Sequence, residues 1–314
     1  MNKLLSILMI CLLLTGCGKK TTEVKPDEFI QEDEVVESYT KMTLNGKDYN
    51  YNYSVSSILL LGIDAYLGDP LLGQSDFMSL IVFNKDDKKV SLLTIPRDTM
   101  TLVSEYRDGE ELCAYVTHIT LAYPLGGDSP SACARNSIAA TSMMLNDVPI
   151  DNYISIPLTS LEDLVDVFGE MDIELEDDSL AFRNPDYVKG YMFHVDKNTI
   201  ETYVRARDIN VDNSALDRSK RQQIYLKRCM ASMVDILNGN SSTSIARLLM
   251  LLESCNSNLT NAQIEKYMDY FKEYQTNGVD FKTIPGSPNN SSEYDEYIID
   301  RSALDQMIVE LFYK

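Results

Sequence analysis

Three apolar runs set close together constrain the fold more than any other feature: SSILLLGID (Ser56 to Asp64), FMSLIVF (Phe77 to Phe83) and KVSLLTI (Lys89 to Ile95). Each has the length of a strand and is nearly continuous rather than alternating. A strand buried on both faces reads this way. The polar stretch Asn84-Lys85-Asp86-Asp87-Lys88 supplies a turn between the second and third runs. Further along, helical patterns interleave with extended ones, which places the chain in the α/β class.

The remaining elements follow from local signals. Asn45-Gly46 between short alternating runs predicts a hairpin. Cys133 to Leu145 reads as a helix and Asp151 to Ile156 as a strand. Thr159-Ser160-Leu161-Glu162 has the form of a capping box, opening a helix through Phe168 that stops at Gly169. MDIELED and Thr202 to Arg207 read as strands. A second capping box at Ser214 to Asp217 opens a long helix to about Leu237, with Leu226, Met230, Met233 and Leu237 as its apolar stripe. Helices are expected over Thr243–Leu252, Asn261–Tyr274 and Ala303–Phe312, and short extended pieces at TIPG and YIID. There is no internal repeat and no linker after Ser54, so residues 49–314 form one domain.

The N-terminus, MNKLLSILMICLLLTGCGKK, has a basic start at Lys3 and a mostly apolar run from Leu4 to Leu14. That run is too short to span a bilayer and fits a signal segment. Leu14-Thr15-Gly16-Cys17 resembles a bacterial lipobox, which predicts a signal peptide over residues 1–16 and a lipidated Cys17. An ordinary secretory signal with an incidental cysteine is the plainer alternative. Residues 17–48 would hold the lipidated cysteine and a flexible tether, since Gly18 to Ser38 is rich in Lys, Glu, Asp and Thr. The protein would then sit on the outer face of the cell membrane through its lipid anchor. Cys113, Cys133, Cys229 and Cys255 do not have metal-ligand spacing, and disulfides or buried thiols both remain open.

The net charge is −20, which argues against nucleic acid as a partner. Against that background one segment stands out. YVRARDINVDNSALDRSKRQQIYLKR, Tyr203 to Arg228, gathers 7 of the 28 Lys and Arg residues. In a strand, Arg205 and Arg207 project from one face. On the following helix, Arg218 and Arg221 or Gln222 share a face. Arginine forks and a helix N-terminus suit a phosphate, although a solvated helix face is the bland reading. Asp64 ends the first apolar run, Asp76 precedes the second and Arg97 follows the third. Polar residues at strand ends are where α/β sheets place ligands. Two carboxylates suit Mg²⁺ (or Mn²⁺) that completes its shell with phosphate and water, although aspartates there commonly just form turns. Gly68 to Ser75 nearly matches a P-loop but lacks its Lys and precedes a strand, so it is set aside. With two His, a zinc site is disfavoured, and His118 reads as a structural or substrate-contact residue.

Taken in order, ILLLGIDAYLGDPLLGQSDFMSLIVFNKDDKKVSLLTIPRDT, LAYPLGG, YVRAR and LDRSKRQQ resemble the LytR–CpsA–Psr family, over roughly Ser56 to the C-terminus. The resemblance implies an α-β-α sandwich with a mixed central sheet. It implies a phosphotransferase at the outer membrane face of a bacterium, usually Gram-positive. Such enzymes move a glycopolymer (teichoic acid, capsule or a related polymer) from an undecaprenyl-pyrophosphate carrier to peptidoglycan, and an apolar tunnel holds the carrier's tail. On this pattern Asp64 and Asp76 match the metal-associated aspartates. Arg97, Arg205, Arg207, Arg218, Arg221 and Gln222 match the pyrophosphate-binding set, with Asp76, Arg97 and Arg205 nearest the chemistry and Asp76 a candidate base. The chain departs from the pattern at Tyr66, Gln74, Phe77, His118, Thr120, Leu121 and Ala215. Those changes keep two other readings open: a non-catalytic binder of the same lipid-linked ligand, and a hydrolase that releases the polymer or cleaves the pyrophosphate.

Overall fold

In the computed structural model, the described residues are 39–64, 71, 73–239, 242–274, 278–290 and 294–314. The signal segment, Cys17, the tether over Gly18–Ser38, Tyr66 and most of the near P-loop lie outside them.

Two strands, β1 (Lys41–Leu44) and β2 (Lys47–Asn50), close through Asn45-Gly46, both at positive φ. Leu44 pairs with Lys47, as a two-residue hairpin turn requires. The three apolar runs become β3 (Val55–Asp64), β4 (Gln74–Asn84) and β5 (Lys89–Thr94). Then follow β6 (Met100–Arg107), β7 (Glu110–His118) and a 3-10 turn, Ile119–Ala122. Next come α1 (Pro130–Met144), β8 (Asn152–Pro157), α2 (Leu161–Phe168), β9 (Met171–Glu174) and β10 (Met192–Val195). After them lie α3 (Ile200–Arg205), α4 (Ser214–Asn238), α5 (Ser242–Ser254), β11 (Asn256–Ser257) and α6 (Asn261–Tyr274). The chain closes with β12 (Val279–Thr283), β13 (Gly286–Asn289), β14 (Glu296–Ile299) and α7 (Arg301–Phe312).

The central sheet has the order β11-β8-β3-β4-β5-β12. β3 runs parallel to β8 and β5 to β12, while β4 is antiparallel to both neighbours. The continuous apolar runs have a simple cause: both faces are covered. Leu59, Leu61, Met78, Leu80 and Val82 join α1 and α7 in one core. Ile58, Leu60, Ile81, Phe83 and Leu92 join Met230 and Leu237 of α4 and Tyr267 and Phe271 of α6 in the other. Period-two alternation sends successive residues of one strand into different cores. The expected α-β-α sandwich with a mixed sheet is the observed fold.

Some expectations are corrected. Thr202–Arg207 is not a strand. Ile200, Tyr203 and Val204 are buried at helical spacing, and the chain forms a short helix ending at Arg205. Arg205 and Arg207 therefore do not share a strand face. Ser160 is the last residue of a 3-10 turn and makes no side-chain cap bond. Ser214 lies inside α4, behind Asn213 at φ 60°, and its hydroxyl is buried without a partner among the described residues. The β6–β7 ribbon has no counterpart in the sequence reading, although Asp108-Gly109 at its tip carries a hairpin signal. The four cysteines among the described residues, Cys113, Cys133, Cys229 and Cys255, are free. Burial raises the Cys133 and Cys255 thiols to about 11 and Cys229 to about 12. Among the described residues no helix is long and apolar enough to cross a membrane.

Candidate active site

The site lies at one edge of the sheet, where β3, β5, β8 and β12 end and β4 begins. Asp64 is the last residue of β3 and pairs across to Gln74. The register slips just there: Gly62 faces Phe77 and Ile63 faces Ser75, so Asp76 is the extra residue of a β-bulge. A bulge re-aims the side chain it carries. Gly62 permits the close approach of β4, since a Cβ there would lie 3.0 Å from that of Phe77.

Asp76 is the hub. One carboxylate oxygen accepts from Arg97 Nη1 and the other from Arg218 Nη1 at 2.7 Å. Arg97 is held along its whole fork, because Nε donates to Asp98 at 3.1 Å and Nη2 to Gln74 at 2.5 Å. Gln74, one of the departures from the family pattern, thus still makes a polar contact. Asp98 is a positioning residue, and its carbonyl also accepts from Tyr297 N at 2.8 Å. Thr120 is fully buried and exchanges hydrogen bonds with Ser75: its hydroxyl donates to the Ser75 carbonyl at 3.1 Å and the Ser75 hydroxyl donates back at 3.2 Å. Thr120 N also donates to the Arg97 carbonyl. Here the threonine is a clip between β4 and the Arg97 loop, a role that its spacing in the sequence does not reveal.

Arg205 donates to Asp64 at 2.8 Å and to Glu201 one turn earlier. Burial opposes its charge, but the Asp64 and Glu201 carboxylates more than offset this and raise its pKa. Arg218 is different. Its side chain is 5% exposed, and Nε and Nη2 have no partner among the described residues. Burial lowers its pKa; Asp76 opposes the shift, and the cations Arg97 and Arg207 add to it. Arg207 forms no ion pair among the described residues. A buried fork with unused donors, beside two further guanidiniums, has the chemistry to hold an anion.

Two sequence-nominated residues lie apart from this cluster. Arg221 gives Nε to the Tyr203 carbonyl, Nη2 to the Ala206 carbonyl and Nη1 to the Ser179 hydroxyl. Its fork fastens α3 to α4 rather than facing a ligand. Gln222 donates to the Val204 carbonyl at 3.0 Å, while its side chain also borders a cavity.

That cavity, of about 250 Å³, lies between the sheet and α2, α4 and α5. Asp64, Asp76, Arg205 and Gln222 line its polar end, and residues such as Leu60, Ile154, Met230 and Leu251 its apolar body. The arginine cluster thus adjoins an apolar chamber through Asp76 and Arg205, which suits an amphipathic phosphate ester.

The LytR_cpsA_psr family pattern matches residues 17–312. This chain belongs to that family. It is 24% identical over 275 residues to the Bacillus subtilis polyisoprenyl-teichoic acid–peptidoglycan teichoic acid transferase TagV. That match covers 81% of this chain and 66% of TagV, so the chain spans just under two thirds of that relative's length. The crystal structure of B. subtilis TagV superposes with a TM-score of 0.63 at 20% identity, over 82% of this chain and 97% of that one. TagT bound to LI-WTA gives 0.60 at 20% identity, over 82% and 90%. These likenesses establish the shared fold.

Proposed function

We propose that this chain transfers a glycopolymer from an undecaprenyl-pyrophosphate carrier to peptidoglycan. The observation that carries the reading is Arg218: a buried guanidinium with unspent donors, bonded to Asp76, which lines the polar end of an apolar cavity. The names of the relatives, a teichoic acid transferase and a TagT structure bound to LI-WTA, support the same substrate class, with capsule-type polymers as a further member.

In this reaction the acceptor hydroxyl attacks the sugar-side phosphorus. A P–O bond forms to the acceptor, and the bond to the bridging oxygen breaks. The lipid phosphate leaves with that electron pair, and the hydroxyl proton passes, by way of Asp76 where it serves as base, to the departing phosphate. Such chemistry depends on positioning and charge stabilisation more than on covalent help. Arg218, Arg97 and Arg207 would bind the phosphate oxygens. Asp76 aims two of those forks, which makes it a positioning residue as well as a candidate base. Arg205 would reach the outer phosphate from the Asp64 side. The apolar cavity would hold the start of the lipid tail.

The residues fit a Mg²⁺ ion. Asp64 and Asp76 are hard oxygen donors lining one cavity mouth. Among the described residues no three His, Cys, Asp or Glu side chains gather into a cage. Magnesium needs only one or two carboxylates when phosphate and water fill its shell. When bound, it would neutralise charge on the pyrophosphate.

The test uses the full chain in detergent with a synthetic polyprenyl-pyrophosphate glycan, a short peptidoglycan glycan and Mg²⁺, read by mass spectrometry. The expected product is a glycan–glycan phosphodiester, absent with EDTA and in Arg205→Ala and Asp76→Ala. Released polymer phosphate without conjugate would indicate a hydrolase. Donor binding without any product would indicate a binder.

The Cys17 lipidation reading is tested separately. In a bacterial host fed labelled palmitate, the parent should carry label and sediment with membranes. Cys17→Ala should lose the label, and label retained in that variant would overturn the lipobox reading.

A further inference from the structure

A second cavity, of about 190 Å³, opens at the same sheet edge on a different side of α4. The helix divides the two. Gln222, Tyr225 and Cys229 line the apolar chamber, whereas Leu216, Ser219, Lys220 and Gln223 line this one. At 100° per residue these are neighbouring stripes of one helix, and Arg218 lies near the N-terminal end of that helix.

The second cavity is proportionately more polar than the first. Its floor is Thr94 at the end of β5 and Thr283 at the end of β12. Gln223 Nε2 donates to both hydroxyl oxygens, at 3.1 and 3.4 Å. Each threonine oxygen is thereby fixed as an acceptor, and its O–H is left to donate. Tyr297 forms a wall, held by its hydroxyl donating to the Ile284 carbonyl at 2.8 Å. Pro96 forms another, immediately before Arg97. Paired hydroxyls, an amide and a fixed aromatic ring are groups that bind sugars. The volume falls below the about 300 Å³ at which drug-sized sites begin, which suits one ring rather than an oligomer.

We propose that this cavity is the acceptor subsite, taking one sugar ring of the polysaccharide that receives the polymer. The proposal rests on the transfer reading above. In an in-line displacement the attacking oxygen approaches opposite the leaving group. The lipid tail is assigned to the apolar chamber, so the lipid phosphate leaves toward that side and the acceptor must come from the opposite side of the arginine cluster. The cavity beside Arg97 is a hydroxyl-bearing space on that side.

The test measures binding without turnover. The probe is a soluble peptidoglycan tetrasaccharide of alternating N-acetylglucosamine and N-acetylmuramic acid, titrated by NMR against the full chain in detergent micelles. A non-transferable polyprenyl-pyrophosphate monosaccharide analogue reports the donor side. Thr283→Val and Gln223→Leu should weaken the tetrasaccharide by about tenfold, the loss of roughly one or two hydrogen bonds. They should leave the donor analogue unchanged and raise the acceptor KM with little change in kcat. Thr283→Ser should keep parent affinity, because it keeps the hydroxyl. Donor affinity falling in place of acceptor affinity would assign the cavity to the donor's sugar and overturn the proposal. So would a parent that does not bind the tetrasaccharide, or variants that melt like the parent and bind it equally well. A parent that binds the tetrasaccharide here but forms no conjugate would sink the transfer reading alone.

Discussion

Replacing Arg218 with methionine is expected to lower transfer by about 10³-fold, within the range seen when a charge-stabilising donor is removed. The melting temperature should move by no more than about 4 °C. The two expectations have one cause. Arg218 is almost wholly buried, yet Nε and Nη2 have no partner among the described residues. Burial disfavours its charge, and Arg97 and Arg207 add to that. Its pairing with Asp76 offsets the cost only in part. Removing the guanidinium relieves the burial penalty and the repulsion, and leaves Asp76 still bonded to Arg97. A buried charge pair replaced on one side by an apolar group usually destabilises; here the remaining arginine limits that loss. What disappears, on the proposed transfer reading, is a set of donors that would meet the phosphate where charge develops. Arg218→Lys keeps the charge but not the fork, and should recover only part of the rate. The assay is kcat/KM for transfer alongside a thermal melt. A methionine variant with near-parent kcat/KM would remove Arg218 from the site.

The site was legible in the sequence to the extent that chemistry sits at strand ends. Asp64, Asp76 and Arg97 flank three apolar runs, and a sheet edge brings the flanks of neighbouring strands together. The α6 boundaries, Asn261 to Tyr274, are those the sequence pattern predicts. The arginine-rich segment was legible in identity but not in geometry. Tyr203, Val204 and the alternation of Arg205 with Arg207 mimic a strand. The helical spacing becomes visible only when Ile200 is included, because its burial with Tyr203 and Val204 settles the period. The division of labour between Arg218 and Arg221 was not legible. Both lie on α4, three residues apart, and only tertiary packing sets one against Asp76 and the other against the carbonyls of α3. Gln74 and Thr120 were visible as departures from a family pattern. Their partners, Arg97 and Ser75, were not, because each bond joins separate loops or strands.

Arg221→Met supplies the contrasting result: a loss of stability of about 4 kcal/mol, with near-parent turnover in the fraction that remains folded. Arg221 is 3% exposed, and its fork satisfies the Tyr203 and Ala206 carbonyls and the Ser179 hydroxyl. Methionine fills similar space but offers no donor. Each buried acceptor left unpaired costs about 1–3 kcal/mol, and two carbonyls plus a weakened Ser179 contact give the figure above. For a chain of this size that corresponds to a fall in melting temperature of roughly 10 °C. The damage would spread from the α3–α4 junction, because the same guanidinium joins the end of α3 to the segment before β10. Arg205 sits on that helix, so donor affinity should fall as the temperature approaches the lowered midpoint and recover on cooling. Calorimetry, with transfer assayed well below the midpoint, separates the two arginines. If Arg221 instead held phosphate, as its spacing from Arg218 suggests, its methionine variant would melt like the parent and lose turnover as Arg218→Met does. The observed bonds require the opposite order, with stability lost at Arg221 and rate at Arg218.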